Sequence, residues 1–325
     1  MGTTVEKNRF ADGCALILAG GDGTRLRFLT DKSLGGPRPK QFCALLGPEP
    51  LLTQTRHRVE HIIPRARTLV VVNQAHERFY APLLRDAPSQ SIVVQPANRG
   101  TAPAILYALM RASRQFDDGV VAVLPSDHYV SDDARFMSHV KAAFEAVDEE
   151  CHTVALLGAP ATAGDSGYGW IEPADLIGQS RLYRVRRFWE KPPASAAHEL
   201  WQRGCLWNSF VMVSRISTLV SLIASALPDL HAAFDAIADS LGAPQEREVM
   251  EHLYREIEPV DFSERVLAFA EDRLAVLPLS GVHWSDIGDS QRLRNALERS
   301  KSAKVPTGAA AVTSRLLAGP ILSQR

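Results

Sequence analysis

Cysteine is scarce: four residues, at positions 14, 43, 151 and 205, with no CxxC spacing among them. The leading stretch MGTTVEKNRFADG has no basic-then-apolar signal segment, and together these absences lead to the expectation of a reducing, cytoplasmic setting. Long hydrophobic runs are missing too, all falling well short of the roughly 18 residues of a membrane span. Neither sign of charge is in surplus, with 36 Lys and Arg against 37 Asp and Glu and a formal net charge of -1. Nothing in that balance steers the chain to a nucleic acid or an anionic membrane, so any bound anion must be met locally. GDGTRL lacks the last glycine of a dinucleotide fingerprint and no G-x-x-x-x-G-K-[ST] occurs, which withdraws support from Rossmann cofactor binding and from a P-loop. There is no internal repeat and no low-complexity tract.

What is present is a rhythm. At 325 residues, 46% of them hydrophobic, the chain can bury more than one hydrophobic layer. The runs CALIL, TLVVVN (68–73), SIVVQP (91–96), VVAVLP (120–125) and TVALLG (153–158) read as strands apolar on both faces. Between them lie amphipathic stretches such as LLTQTRHRVEHII and TAPAILYALMRASRQF, with apolar residues three and four apart. That alternation predicts an α/β fold: a doubly wound, mostly parallel sheet covered on both sides. After Gly158, GYGWIEP, RLYRVRRFWEKP and LWNSFVMVS read as strands with fewer helices between them. A helical region from Ile216 to about Glu271, the run RLAVLPLS and a closing helix DSQRLRNALERS follow. The expected layout is an N-terminal extension (1–13), a main domain (14–300) in two halves (14–158 and a smaller 159–300), and a small-residue-rich tail (301–325). That tail is either a loose end or a segment that packs on a partner subunit in a homodimer.

LAGGDGTRL follows the first strand, at the carboxyl edge where ligands of such sheets gather. Its glycines let a ligand approach main-chain N–H groups that can form an anion nest, and Arg25 adds several donors suited to phosphate oxygens. A plain strand-to-helix turn is the competing reading. GDSG (164–167) has the look of a serine-protease nucleophile but continues as YG in an α/β chain, and is set aside as a decoy. His57 and His61, about one helical turn apart, read as helix surface rather than a metal site, and the arginines of RLYRVRRF as a solvated face.

PRPKQF (37–42), NRGTAPAI (98–105), LPSDH (124–128), GYGWIE (167–172), FWEKP (188–192), LWNS (206–209) and WSDIG (284–288) follow the loop in this order. The set resembles the sugar-1-phosphate nucleotidylyltransferases over roughly residues 14 to 300, and PKQF, TAPA and WNS tilt the resemblance to the mannose-1-phosphate guanylyltransferases. It implies transfer of GMP from GTP to mannose 1-phosphate, giving GDP-mannose and pyrophosphate, by in-line attack of an already ionised phosphate oxygen. No general base is then needed: the protein places two anions and neutralises charge, with Mg²⁺ as cofactor.

By the family pattern Asp127 and Asp286 hold the Mg²⁺, two hard oxygen ligands completed by phosphates and water. A loop-start cap for Asp127 and a helix N-cap for Asp286 are the competing readings. The resemblance places Arg25 on the departing pyrophosphate, Lys40 on the phosphates near the reacting centre and Lys191 on the sugar phosphate; each alone could be solvated surface. The nucleotide-binding set is Ala19, Gly20, Gly21, Gly23, Thr24, Gln95 and Thr101, with Gln95, Thr101 and the backbone at Ala19 and Gly20 toward the base. Gly169, Glu172, Glu190 and Asn208 are expected at the hexose, whose hydroxyls need paired donors and acceptors.

Three positions and one insertion depart from the family pattern. Phe28 stands where proline is usual, and about four extra residues precede PRPKQF, so a longer loop is expected. Gly100 replaces the asparagine before TAPA, which bears on the base contact, and Phe210 follows WNS where glycine is usual, which is expected to reshape the sugar pocket. Because the chain stops at Arg325 without the isomerase domain fused in some bacterial relatives, a short, single-activity form is expected. Two alternatives stay open: a nucleotidylyltransferase for another pair, such as glucose 1-phosphate with UTP or dTTP, and a silent relative that binds nucleotide sugar to regulate a true enzyme.

Overall fold

A computed structural model describes residues 13–23, 26, 38–150 and 152–303 of the chain. In chain order its strands are β1 (Cys14–Leu18), β2 (Thr68–Asn73), β3 (Ile92–Gln95), β4 (Val120–Pro125), β5 (Tyr129–Val130) and β6 (Val154–Pro160). They continue as β7 (Trp170–Leu176), β8 (Tyr183–Trp189), β9 (Leu206–Arg215), β10 (Leu274–Pro278) and β11 (Trp284–Ser285). Nine of them form one sheet in the order β3-β2-β1-β4-β9-β6-β10-β8-β7, while β5 and β11 pair apart from it. Strands β3, β2, β1 and β4 run parallel. Beyond them β9 is inserted antiparallel between β4 and β6, and β8 and β7 close the far edge. The expected α/β architecture is present, and the antiparallel strands lie in its second half.

Side chains alternate across the sheet with period two, which divides the core into two layers. Leu16, Leu69, Val71, Val121, Val123, Leu156 and Val276 face helices Thr101–Phe116, Ile216–Ala226 and Glu246–Glu256. Ala15, Ile17, Val70, Val72, Ala122, Leu124, Leu157 and Leu277 face helices Leu51–Val59, Asp133–Glu149 and Ala194–Gln202. With both faces covered, the parallel strands β1, β2, β3 and β4 have no polar side to spare, which is why they read as unbroken apolar runs.

The helical region after Ile216 is several helices rather than one. Leu227, with φ -136° and ψ 63°, leaves the helical conformation just before Pro228 starts the next helix, as the steric demand of a proline ring on its predecessor requires. Among the described residues no helix is long and apolar enough to cross a membrane.

Candidate active site

Residues following the carboxyl ends of β1 and β4 meet those following β11. The short antiparallel ladder pairs Ser285 with Tyr129 and Trp284 with Val130, so the next position, Asp286, arrives beside Asp127 and His128. Lys40 closes this meeting. Its Nζ lies 3.3 Å from Asp127 Oδ2 and donates to the backbone carbonyls of Asp286 (2.8 Å) and Ile287 (3.0 Å).

The Asp286 turn is built by its neighbours. Ile287 is fully buried with Leu26, Leu51, Tyr129 and Leu293 although its φ is +49°, a costly conformation for a β-branched residue. Asp286 Oδ1 accepts from Gly288 N at 3.0 Å. The N-cap of the closing helix is instead Asp289, whose Oδ1 accepts from Gln291 N and Arg292 N, so the Asp286 carboxylate does not cap that helix. Burial by itself would raise the pKa of Asp286. The charges of Arg292, of His128 when protonated and of Lys40 outweigh it and hold the carboxyl below its ordinary range.

His128 also belongs to this group. Burial pushes its imidazole down to about 4 despite the nearby Asp127 and Asp286, so the ring is neutral at pH 7. Trp284 Nε1 donates to its Nδ1 at 3.2 Å, which assigns the proton to Nε2, 3.8 Å from Asp127 Oδ1.

The glycine loop is shaped by a residue of the PKQF run that sequence reasoning quoted without assigning. Buried Gln41 donates through Nε2 to the carbonyls of Ala19 (3.0 Å) and Gly21 (2.6 Å). In a trans peptide the N–H lies opposite the C=O, so the N–H groups of Gly20 and Asp22 are turned away from Gln41. A Cβ on Gly20 would lie 2.5 Å from Gln95 Nε2, and one on Gly23 (φ +60°) 3.0 Å from the Lys40 backbone nitrogen. Gly21 faces open space. Asp22, also unassigned from sequence, is held by His76 Nε2 at 3.3 Å and by Asn98 Nδ2 at 2.8 Å. Thus Ala19, Gly20, Gly21, Gly23, Gln95 and Lys40 converge. Thr24, Arg25 and Phe28 lie outside the described residues.

Thr101 opens helix Thr101–Phe116, where its Oγ1 accepts from Phe262 N (2.7 Å) and donates to Asp261 Oδ2 (3.4 Å). Gly100 beside it has φ +82°, and a Cβ there would lie 2.8 Å from the Val260 carbonyl carbon. The departure from asparagine thus coincides with a backbone that crosses directly over this position.

On the other side, a Cβ on Gly169 would lie 2.9 Å from Glu190 Oε2 and 3.2 Å from Asn208 Cβ, and Asn208 N donates to Gly169 O at 2.7 Å. Glu190 is paired with Lys191. Burial raises its carboxyl, Lys191 opposes that, and Asp261 and Glu264 add to it. Lys191 has φ +45° and Phe210 φ +58°. Phe210 therefore takes the left-handed conformation that glycine adopts without strain, with its N–H on Asn208 Oδ1 and its ring 6.4 Å from that of Phe262. Glu172 joins a different group, gripped by Arg203 and by Arg186 at 3.6 Å. Trp207, Tyr168, Trp284 and His128 form a row of rings with successive centroids 4.4, 5.6 and 5.1 Å apart, connecting the Asn208 side to the Asp127 side.

The two aspartates suit a hard divalent cation. Asp127 reaches Lys40 through its carboxylate and Asp286 through its backbone carbonyl, from distant parts of the chain. No group of three or more His, Cys, Asp or Glu able to hold a metal exists among the described residues, so the chain offers a partial oxygen set. Magnesium, which keeps waters and takes phosphate oxygens, fits such a set.

A model of the nucleotidyl transferase family matches residues 14–302, and the chain belongs to that family. Among curated proteins it is 31% identical over 284 residues to the alginate biosynthesis protein AlgA of Pseudomonas syringae pv. tomato, covering 84% of this chain and 56% of that protein. It is 30% identical over 301 residues to the mannose-1-phosphate guanylyltransferase of Klebsiella pneumoniae, covering 90% of this chain and 62% of that one. The chain thus spans about half to three-fifths of the length of these relatives. Among solved structures, a Thermus thermophilus protein described as a mannose-1-phosphate geranyltransferase superposes with a TM-score of 0.76 at 29% identity, covering 88% of this chain and 79% of that one.

Proposed function

We propose that this chain transfers GMP from GTP to mannose 1-phosphate, forming GDP-mannose and pyrophosphate. The observation that carries this reading is the convergence of Asp127 and Asp286 on Lys40, next to the glycine loop. Relatives named mannose-1-phosphate guanylyltransferase support the choice of sugar and base.

In this reading the loop from Ala19 to Gly23, with Thr24, receives the nucleotide, and Gln95 and Thr101 flank the base. Arg25 meets the departing pyrophosphate, Lys40 the phosphates at the reacting centre and Lys191 the sugar phosphate. Gly169, Glu190 and Asn208 line the hexose side. Asp127 and Asp286 hold Mg²⁺, which when bound supplies neutralisation of the phosphate charge and orientation of the two reactants. The attacking phosphate oxygen is ionised at neutral pH, so the residues position and screen rather than move a proton. A homodimer and a cytoplasmic location remain part of the proposal.

The test is release of pyrophosphate from GTP with mannose 1-phosphate, with Mg²⁺ and with chelator, against UTP, dTTP and glucose 1-phosphate. The expected result is Mg²⁺-dependent release, fastest with GTP and mannose 1-phosphate, and a loss of about 10³-fold or more in Asp127→Asn. Release unaffected by chelator, or Asp127→Asn turning over like the parent, overturns the assignment.

A further inference from the structure

Arg292 belongs to none of the runs that carry the family resemblance, yet it is the side chain most closely engaged with Asp286. Its Nη1 donates to Asp286 Oδ1 and Oδ2, both at 2.9 Å, and its Nη2 donates to Asp165 Oδ2 at 2.6 Å. The guanidinium lies 3.7 Å over the Tyr168 ring centroid. Two glycines leave it room: a Cβ on Gly167 would lie 2.6 Å from Nη2, and one on Gly288 2.8 Å from Nη1. Asp165, from the GDSG run, also accepts from Gly167 N at 2.8 Å and gives its carbonyl to Trp170 Nε1 at 3.0 Å, so the far anchor of Arg292 is itself fixed.

The two oxygens of Asp286 are not equivalent. Oδ1 accepts from both Arg292 and Gly288 N, whereas Oδ2 accepts from Arg292 alone. A nitrogen equidistant from both oxygens stands on the bisector of the carboxylate, the place a cation must take to be chelated by the pair.

We propose that Arg292 is a positioning residue that restricts Asp286 to ligation through one oxygen, Oδ2, and thereby makes the site select Mg²⁺ over the larger Ca²⁺. The inference rests on the reading above that Asp286 holds a divalent cation. Magnesium accepts single-oxygen carboxylates in a tight octahedron, whereas calcium draws on two-oxygen carboxylates to reach its higher coordination number. The charge of Arg292 repels both ions equally, because both are divalent, so it cancels in the ratio of their affinities. That ratio isolates geometry.

The experiment follows free Mn²⁺ by electron paramagnetic resonance during titration of the full chain saturated with a non-hydrolysable GTP analogue, against the analogue alone, then displaces bound Mn²⁺ with Mg²⁺ or with Ca²⁺. The parent is expected to prefer Mg²⁺. In Arg292→Met the ratio should move toward Ca²⁺ by about tenfold. Arg292→Lys keeps the charge but cannot hold Asp165 and Asp286 together through a planar fork, so it should move the ratio in the same direction by less. A cooperative thermal melt establishes that each variant is folded. A parent that binds Ca²⁺ as tightly as Mg²⁺, or a folded variant whose ratio stays within about twofold of the parent's, overturns the proposal. If the parent with the analogue binds no more Mn²⁺ than the analogue alone, or Asp286→Asn binds it undiminished, the metal reading of Asp286 falls. Binding lost in Asp286→Asn, with an unmoved ratio in the Arg292 variants, removes the role of Arg292 alone.

Discussion

Replacing Lys40 by Met removes a charge and keeps the apolar stem. The Lys40 side chain is 13% exposed and that of Asp127 23%, so solvent can compensate the loss only in part. Two charge-assisted hydrogen bonds, to the carbonyls of Asp286 and Ile287, disappear at about 1.5–3 kcal/mol each, and Asp127 loses its cationic partner. Apolar burial of the new thioether offsets about 1 kcal/mol, leaving a net destabilisation of about 2–5 kcal/mol. For roughly 300 ordered residues the unfolding entropy is about 0.6 kcal/mol per degree, so Tm should fall by about 3–8 °C. The turn carrying Asp286 loosens as well, so kcat/KM for pyrophosphate release should fall by about 10²-fold or more. Thermal unfolding and the pyrophosphate assay read the two effects separately. A Lys40→Met variant melting within about 1 °C of the parent and turning over within about threefold would refute the reasoning.

Gly100→Ala meets the Val260 backbone and a φ of +82°; it should lower Tm by several degrees and weaken GTP binding, since the opening of helix Thr101–Phe116 must shift. Gly21→Ala, facing open space, should leave Tm nearly unchanged while raising the KM for GTP. Glu246 accepts from Tyr107, Arg111 and Gly242 N. Burial would raise its carboxyl, but these partners prevail and hold it below its ordinary range. Because the folded value is depressed, its stabilisation is present above the unfolded pKa of about 4.3 and is lost as pH falls through the folded value. The urea midpoint of Glu246→Gln should therefore lie well below the parent's at pH 7, and the gap should narrow as pH falls below about 4.3; a gap of constant size across the acid range would contradict this linkage.

Much of the layout was legible because hydrophobic periodicity is a local property. TLVVVN and VVAVLP became β2 and β4 with the anticipated ends, and TAPAILYALMRASRQF became one helix, Thr101–Phe116. The insertion of β9 between β4 and β6 was not legible, since strand partners share no local signature. It is this insertion that sets Asn208 opposite Gly158 of β6. Gln41 and His128 lay inside quoted runs, but their roles depend on what the fold sets opposite them. Arg292 carried no sequence signal at all: an arginine in a polar helix looks like surface until Asp165, Tyr168 and Asp286 close around it.

The sequence by itself determined that apolar runs alternate with amphipathic helices, that a glycine loop follows the first strand, and that carboxylates and lysines sit beside tight turns. These are properties of neighbours along the chain, set by backbone conformation and periodicity. Only the tertiary structure decided that Asp127 and Asp286 share one lysine, that Gly100 lies under the Val260 backbone, and that one face of Asp286 is taken by Arg292. Those facts depend on contacts between distant segments, whose geometry is fixed by packing and register rather than by any residue's own preferences.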